Sequence, residues 1–131
     1  MSERNVLGGK LEECGTDPMT GYFRDGCCRP DPAAFSTHLI CGVMTEDFLR
    51  HQVSIGNDLV TPRPQFDFPG VKPGDRWCVT APNWLRAYDD GDACFVVLAA
   101  TSERALEYVP LAALREHAVD VPSDPGALTD P

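Results

Sequence analysis

Two short apolar runs dominate the hydrophobic pattern of the chain. THLICGVM, residues 37–44, is rich in β-branched and other apolar side chains, and CFVVLAA, residues 94–100, contains no polar group other than its thiol. Continuous apolar runs of this length suit strands that are buried on both faces. The pattern therefore predicts two buried strands, and a third, shorter strand is predicted over residues 76–80.

A helix is predicted directly after the first strand. Thr45 occupies the position of an N-cap, and Glu46 and Asp47 follow where the positive end of a helix favours acidic side chains. The apolar face is expected to extend to Val53, and Gly56 provides the stop signal.

Two further helices are predicted nearer the C-terminus. One runs from about Pro82 to Asp89, with proline in its first turn and Gly91 just beyond its end. The other begins at Pro110, after a helical turn and a brief extended piece, and places Leu114 on its apolar face.

The order of these elements lacks the regular alternation of a βαβ protein. We therefore predict an α+β fold, with a small mixed or antiparallel sheet and about three helices in a single domain. Residues 1–118 are assigned to that domain, which suits a chain of 131 residues. Residues 119–131 are proline-rich and acidic, and are expected to form a disordered tail.

Two segments carry strong turn signals. The pair Asp25-Gly26 lies between YFR and CCR and favours the two-residue turn of a tight hairpin. The stretch TPRPQFDFPGVKPGD, residues 61–75, contains four prolines and two glycines, which exclude a helix or a central strand. Long loops of this kind are often functional, so the likeliest functional surface is predicted where the hairpin meets this proline loop.

The charge of the chain limits its partners. Eleven basic residues stand against 20 acidic ones, a net charge of -9, which repels both nucleic acid and anionic lipid. The longest apolar run has only eight residues, where a membrane span needs about 20. Charges also occupy the N-terminus where a signal peptide would be apolar, so a soluble, cytoplasmic protein without nucleic-acid or membrane partners is predicted.

Six cysteines are unusual for such a compartment. Thiols in the cytoplasm are expected to stay reduced, which leaves buried packing, metal binding or redox chemistry as explanations. A zinc site could use Cys14, Cys27 or Cys28, His38 and Cys41. Their spacing lacks the usual C-x2-4-C pair, and adjacent residues on an extended chain face apart, so no metal site is favoured. No cofactor is predicted, with zinc as the alternative.

A reactive thiol is a second hypothesis. Cys27 or Cys28 would be activated if Arg24 stabilised the thiolate, with Asp25 in the same turn. The favoured alternative is that Arg24 pairs with Asp17 or Asp25 to hold the turn. The three histidines are each expected to be structural, so whether the chain is an enzyme stays open.

A third hypothesis is a binding surface on the proline loop and its neighbours. Aromatic and polar groups on a loop held by rigid elements are typical of ligand pockets. The candidates are Asp17, Asn57, Asp58, Arg63, Arg76 and Trp77. For Trp77 and Trp84 a place in the core is favoured, because aromatic residues dominate small cores.

Four sequence blocks resemble a known bacterial family. They are NVLGGKLEECGTDPMTGYFRDGCC, CGVMTEDFL, GNDLVTPRPQFDFPGVKPGDRWC and VVLAATSERALEYVPLAALREHA, which occur in this order within residues 5–118. The family is the bacterial domain of unknown function numbered 2237. The resemblance implies a stand-alone cytoplasmic protein and brings no assigned catalytic residue or ligand.

The predicted function is therefore a ligand- or partner-binding accessory module. Its partner would be a small molecule or another protein. The alternative is a thiol- or metal-dependent enzyme or redox sensor centred on Cys27 and Cys28.

Overall fold

A computed structural model describes residues 4–16, 19–21, 25–30, 37–66 and 68–120. Within these ranges the chain forms three α-helices and one three-stranded antiparallel sheet, which confirms the predicted α+β class. The elements are β1 (His38–Val43), α1 (Glu46–Ser54), β2 (Arg76–Thr80), α2 (Ala81–Asp89), β3 (Phe95–Val96) and α3 (Leu111–Glu116).

The strand β1 lies at the centre of the sheet, in the order β2-β1-β3. Its register places Cys41 opposite Cys78 and Gly42 opposite Trp77. A Cβ on Gly42 would come within 2.7 Å of the sulfur of Cys94. The centre of β1 is therefore packed so closely that a residue without a side chain is needed at that position.

The third strand is much shorter than the apolar run that predicted it. Only Phe95–Val96 pairs with β1, and a 3-10 turn follows at Leu98–Ala100, so the prediction of a strand over residues 94–100 is wrong beyond residue 96. The hydroxyl of Thr101 accepts a hydrogen bond from the backbone N–H of Cys41 at 3.1 Å. The Thr101 side chain takes the place of a backbone partner from a longer third strand, and a pattern of apolar residues cannot reveal such a replacement.

Helix α1 begins and ends where the sequence predicts. The Thr45 hydroxyl accepts a hydrogen bond from the N–H of Phe48 at 3.1 Å, and Gly56 adopts a positive φ of 88° just beyond the helix. Val53 is 47% exposed, so its assignment to the apolar face is wrong. His51 and Gln52 are buried instead, because hydrogen bonds satisfy their polar atoms.

The predicted second and third helices are also present. Trp84 of α2 is fully buried, and its indole N–H donates to the backbone oxygen of Cys94 at 3.2 Å. Its ring stacks on Tyr88 with centroids 5.4 Å apart. In α3, Leu114 is fully buried as predicted. All three helices are too short and too polar to traverse a membrane, within the part of the chain that the structure describes.

The proline loop folds back on itself. Arg63 and Phe68 exchange both backbone hydrogen bonds around the 3-10 turn Pro64–Phe66. Phe68 and Val71 of this loop are buried in the core. The loop is thus ordered by its own backbone pairing and by the core beneath it.

The two ends of the predicted domain are described in part. Gly26 has the positive φ, 86°, that an Asp-Gly turn uses, but residues 22–24 of the predicted hairpin lie outside the described residues. Near the C-terminus, the Asp120 carboxylate accepts hydrogen bonds from the N–H groups of Leu98 and Ala99 at 2.8 and 3.0 Å. Residues 121–131 are not described, so the disordered tail stays a prediction.

Candidate functional site

Four buried cysteines form the most distinctive chemical group in the described chain. Cys14 is bonded to Cys41, with Cα atoms 5.6 Å apart, and Cys28 is bonded to Cys78, with Cα atoms 5.2 Å apart. The expectation that the cysteines stay reduced is therefore not met by the structure. We call these four residues the cysteine cluster.

Each disulfide joins the N-terminal segment to the sheet. We define that segment as the described residues between Arg4 and Pro30. Cys41 on β1 and Cys78 on β2 are cross-strand partners, and such pairs present their side chains on the same face of a sheet. Cys14 and Cys28 meet them from the segment above. The sulfur atoms of Cys14, Cys28 and Cys78 consequently all lie within 4.8 Å of one another.

The cluster is shielded from solvent. None of its four residues is more than 2% exposed. Val97 and Ala100 complete the buried group around them, with Val43 packed at its side. An external thiol therefore cannot reach these sulfur atoms unless the N-terminal segment moves away from the sheet.

Hydrogen bonds hold the backbone around the cluster. The N–H of Cys14 donates to the oxygen of Gly26 at 2.7 Å, and the N–H of Cys78 donates to the hydroxyl of Thr20 at 2.7 Å. Cys28 forms a backbone bridge with Thr101, and the hydroxyl of Thr101 accepts a hydrogen bond from the N–H of Cys41. The polar groups of the segment are thus paired where it crosses the sheet, as burial requires.

Two cysteines remain as free thiols. Cys27 is half-buried, and partial burial, followed by the negative charges of Asp25 and Glu13, raises the pKa of its thiol above the ordinary value. Cys94 is fully buried, and the loss of solvation raises its pKa still further. Both shifts oppose the thiolate form that a nucleophilic cysteine needs.

The turn beside Cys27 contains an ion pair. The Nε of Arg29 lies 2.7 Å from the Asp25 carboxylate, which also accepts a hydrogen bond from the N–H of Cys27. Partial burial acts to raise the pKa of Asp25, but the bonds from Arg29 and Cys27 outweigh it and hold the pKa below its usual value. Arg24 and Asp17, the other candidates in this turn, lie outside the described residues.

The loop candidates fall into two groups. Arg63 is exposed on the proline loop. Asp58 is half-buried just before the loop, and its carboxylate accepts bonds from the N–H groups of Val60 and Thr61 and from the Thr61 hydroxyl. These bonds lower the pKa of Asp58 and occupy it as the cap of a turn. Arg76 is exposed at the start of β2.

Asn57 and Trp77 meet beside the cysteine cluster. They line a cavity of about 40 Å³, large enough for one or two waters but far smaller than a pocket for a metabolite. Trp77 is only 8% exposed and packs edge-on against Phe68, as the favoured core interpretation predicted. The residues around the cavity are His38, Asn57, Leu59, Trp77, Cys78, Val79 and Thr80.

The histidines take structural positions. The Nε2 of His51 lies 2.7 Å from the Asp90 carboxylate, and its Nδ1 lies 3.2 Å from the amide of Gln52. His117 packs edge-on against the rings of Trp84 and Tyr88. The partners of His51 and His117 thus lie outside the cysteine cluster.

Cys78 is the member of the site that the sequence did not reveal. It lies 37 positions beyond Cys41, in a short strand whose pattern carries no sign of a ligand or redox motif. Only the register of β1 against β2 brings the two cysteines together. A correct strand alignment would have been the signal that found it.

The chain matches one family model. That family is described as "Uncharacterized protein conserved in bacteria (DUF2237)", and its model matches residues 4–118. The chain belongs to this family. All six cysteines fall within the matched region, and no curated protein matches the chain. The description of the family assigns no reaction or ligand.

Proposed function

We propose that the chain is a thiol–disulfide redox module in which the cysteine cluster controls the attachment of the N-terminal segment to the sheet. The observation that carries the proposal is the pairing itself, since each disulfide has one sulfur on the segment and the other on the sheet. Disulfides in a reducing compartment, which the sequence predicts for this protein, are usually transient and serve in catalysis or redox sensing.

The reductant of the module would be a dithiol, either a protein dithiol or a small one. A thiolate of the reductant attacks one sulfur of a cluster disulfide, which gives a mixed disulfide and releases the other cysteine as a thiolate. The second thiol of the reductant then displaces the cluster cysteine. Two electrons and two protons pass to the cluster, and the reductant leaves as its disulfide.

The proximity of the sulfurs links the two disulfides. Once Cys14–Cys41 is reduced, the sulfur of Cys14 lies within 4.8 Å of both sulfurs of Cys28–Cys78. Attack by the Cys14 thiolate on either one forms a new disulfide and releases its former partner as a thiolate, with no net redox change. Reduction of Cys14–Cys41 thereby also allows the second disulfide to be exchanged.

Reduction leaves the segment attached by non-covalent contacts, which include the buried side chain of Val6 and several hydrogen bonds. The N–H of Val6 donates to the oxygen of Thr101 at 3.0 Å, and the N–H of Glu12 donates to the oxygen of Ala99 at 2.9 Å. A hydrogen bond of this kind contributes about 1 kcal/mol, so a few of them allow frequent local opening. Opening of the segment would uncover the edge of β2 at Cys78, whose backbone N–H now donates a hydrogen bond to the hydroxyl of Thr20.

The binding-module hypothesis has less support at the residues that the sequence analysis named for it. The cavity beside Asn57 and Trp77 is too small for a metabolite, and the carboxylate of Asp58 is occupied in its own turn. A partner that binds the uncovered edge of β2 would unite the two hypotheses, since reduction would then control the binding.

The test is a redox titration of the folded chain. We expect both disulfides to be reduced by a dithiol buffer with midpoints between about -220 and -320 mV, the range of cytosolic glutathione. Alkylation and intact mass count the released thiols, and circular dichroism checks that the fold persists. If the disulfides resist every potential in this range, or open only as the chain unfolds, they are structural cross-links and the proposal is wrong.

A further inference from the structure

We propose that the reduced cysteine cluster binds one Zn²⁺ ion through the sulfurs of Cys14, Cys28, Cys41 and Cys78. The inference rests on the proposed function, because the four sulfurs must first be free of their disulfides. It adds a metal site to the redox module. The residues differ from the set considered from the sequence, because Cys78 is included and Cys27 and His38 are left out.

Three of the four sulfurs already have nearly the separation that zinc requires. Zinc–thiolate bonds of about 2.3 Å in a tetrahedron place the sulfurs ~3.8 Å apart. Cys14, Cys28 and Cys78 have sulfurs within 4.8 Å of one another, and the sulfur of Cys41 is joined to that of Cys14. Breaking the two disulfides lets each bonded pair separate by less than 2 Å, which side-chain rotation supplies.

The backbone around the ligands is well positioned for such a site. Cys41 and Cys78 are held opposite each other by the ladder of β1 and β2, so two ligands come from a rigid sheet. Cys14 and Cys28 come from the N-terminal segment, where the N–H of Cys14 donates to the oxygen of Gly26 and Cys28 forms a backbone bridge with Thr101. Two ligands on a rigid element and two on an adaptable one allow the tetrahedron to close without rebuilding the fold.

The chemistry of the cluster selects the metal. The four proposed ligands are all sulfur, and the apolar side chains packed around them are Val97, Ala100 and Val43. Thiolates favour zinc and other thiophilic ions over magnesium or calcium, which take oxygen ligands. Four protein ligands leave no position for water, so the site would be structural rather than hydrolytic.

Metal binding would restore the attachment that reduction removes. Zinc held by two sulfurs from the N-terminal segment and two from the sheet connects the same parts of the molecule as the disulfides do. Each thiol releases its proton as it becomes a ligand, so as many as four protons leave for each ion bound. The reduced chain would then exist in an open metal-free state and a closed zinc state.

The first experiment compares the reduced and oxidised forms of the unmodified full-length chain. The reductant is first removed under exclusion of oxygen. Each form is then titrated with Co²⁺ alone and, in a separate sample, with Zn²⁺ alone. We expect the reduced form to take up one ion per chain, with the thiolate charge-transfer and intense visible bands of tetrahedral Co²⁺. The oxidised form should take up none, and equal uptake by both forms would overturn the inference.

Variants then test the ligand set. Cys78→Ala is expected to weaken zinc binding by at least tenfold, measured by competition with a chelating dye. Cys94→Ala removes an equally buried thiol outside the cluster, and Cys27→Ala removes the free thiol beside Cys28; both should bind as the unmodified chain does. Loss of binding in Cys27→Ala, or full binding in Cys78→Ala, would assign the wrong ligands and refute the proposal.

The outcomes separate this inference from the proposed function. Thiol counting that finds four reduced cluster cysteines in a folded chain that takes up no metal would refute the zinc site and leave the redox module standing. Disulfides that cannot be reduced in the folded chain would refute both. If Cys78→Ala does not fold, the comparison of reduced and oxidised unmodified chain still decides the question.

Discussion

Cys27 and Cys28 are neighbours in sequence with opposite environments. Cys28 is fully buried and bonded to Cys78, whereas Cys27 is half-buried and carries a free thiol. Successive side chains of an extended chain point to opposite sides, so one of the pair faces the sheet and the other does not. The pair is therefore not a vicinal dithiol, and only Cys28 belongs to the cluster.

Alkylation of the oxidised, native chain tests this difference at the residue scale. A raised pKa means that less of the Cys27 thiol is thiolate at neutral pH than in free cysteine, so we expect it to react more slowly than glutathione. The rate should continue to rise with pH beyond the point where glutathione levels off. Iodoacetamide kinetics with peptide mapping measures both rates, and Cys94 serves as the protected control because it is fully buried.

A faster reaction of Cys27 than of glutathione at neutral pH would contradict the pKa argument. It would show that Arg29 stabilises the thiolate more than burial, Asp25 and Glu13 destabilise it. The hypothesis of a reactive thiol would then hold for Cys27.

At the scale of elements, local signals predicted the helices better than the strands. Thr45 and Gly56 define the ends of α1 through interactions within a few residues, so the sequence contains all the necessary information. The strand β3 ends where the distant Asp120 accepts the N–H groups of Leu98 and Ala99, and where the Thr101 hydroxyl takes the N–H of Cys41 on the facing strand. Such partners are chosen by the tertiary fold, and an apolar run cannot indicate them.

The two threonines that precede helices provide a matched pair for a stability test. The Thr45 hydroxyl caps α1, whereas Thr80, at the same position before α2, makes no capping bond and its buried hydroxyl has no partner among the described residues. Thr45→Ala is expected to lower the free energy of unfolding by about 1 kcal/mol. Thr80→Val should change it by less than about 0.5 kcal/mol, since no hydrogen bond is lost.

Urea denaturation followed by circular dichroism measures both changes. A loss for Thr80→Val equal to that for Thr45→Ala would show that Thr80 has a bonding role in solution.

Two glycines of the proline loop form a second pair. Gly70 and Gly74 both have positive φ, 83° and 93°, so alanine strains the backbone at either position. A Cβ on Gly70 would also overlap the carbonyl oxygen of Val60, whereas nothing lies within 4 Å of one on Gly74. We expect Gly74→Ala to cost about 1 kcal/mol and Gly70→Ala to cost about 1–3 kcal/mol more.

Thermal and urea unfolding of the two variants gives the comparison. Equal costs would mean that the loop shifts away from Val60 without penalty, so that its packing on the core is looser than the burial of Val71 indicates.

At the scale of the whole molecule, the sequence could predict the fold class but only part of the site. Cys14, Cys28 and Cys41 were recognised as candidates because they lie within 28 residues of one another. Their pairing depends on how the N-terminal segment crosses the sheet, and Cys78 enters through strand register alone. Neither relation leaves a local pattern, so the cysteine cluster could be seen only in three dimensions.

The stability of the whole molecule is expected to depend on the two disulfides. They close loops with sequence separations of 27 and 50, which overlap because Cys28 lies inside the first loop and Cys41 inside the second. The loop-entropy relation gives about 3.5 kcal/mol for the first and about 4 kcal/mol for the second, each taken alone. The sum is an upper limit, since closing one loop already shortens the path that the other must close.

Denaturant unfolding of the oxidised chain and of two double variants tests this expectation. Cys14→Ala with Cys41→Ala should lower the free energy of unfolding by about 3–4 kcal/mol, and Cys28→Ala with Cys78→Ala by a slightly larger amount. A domain of this size has only about 5–15 kcal/mol of stability, so either variant stays folded but opens more often. Cys94→Ala, which alters a buried thiol without opening a loop, provides the control for lost packing. Double variants no less stable than this control would mean that the cross-links add nothing to the fold, and the N-terminal segment would then be held by its non-covalent contacts.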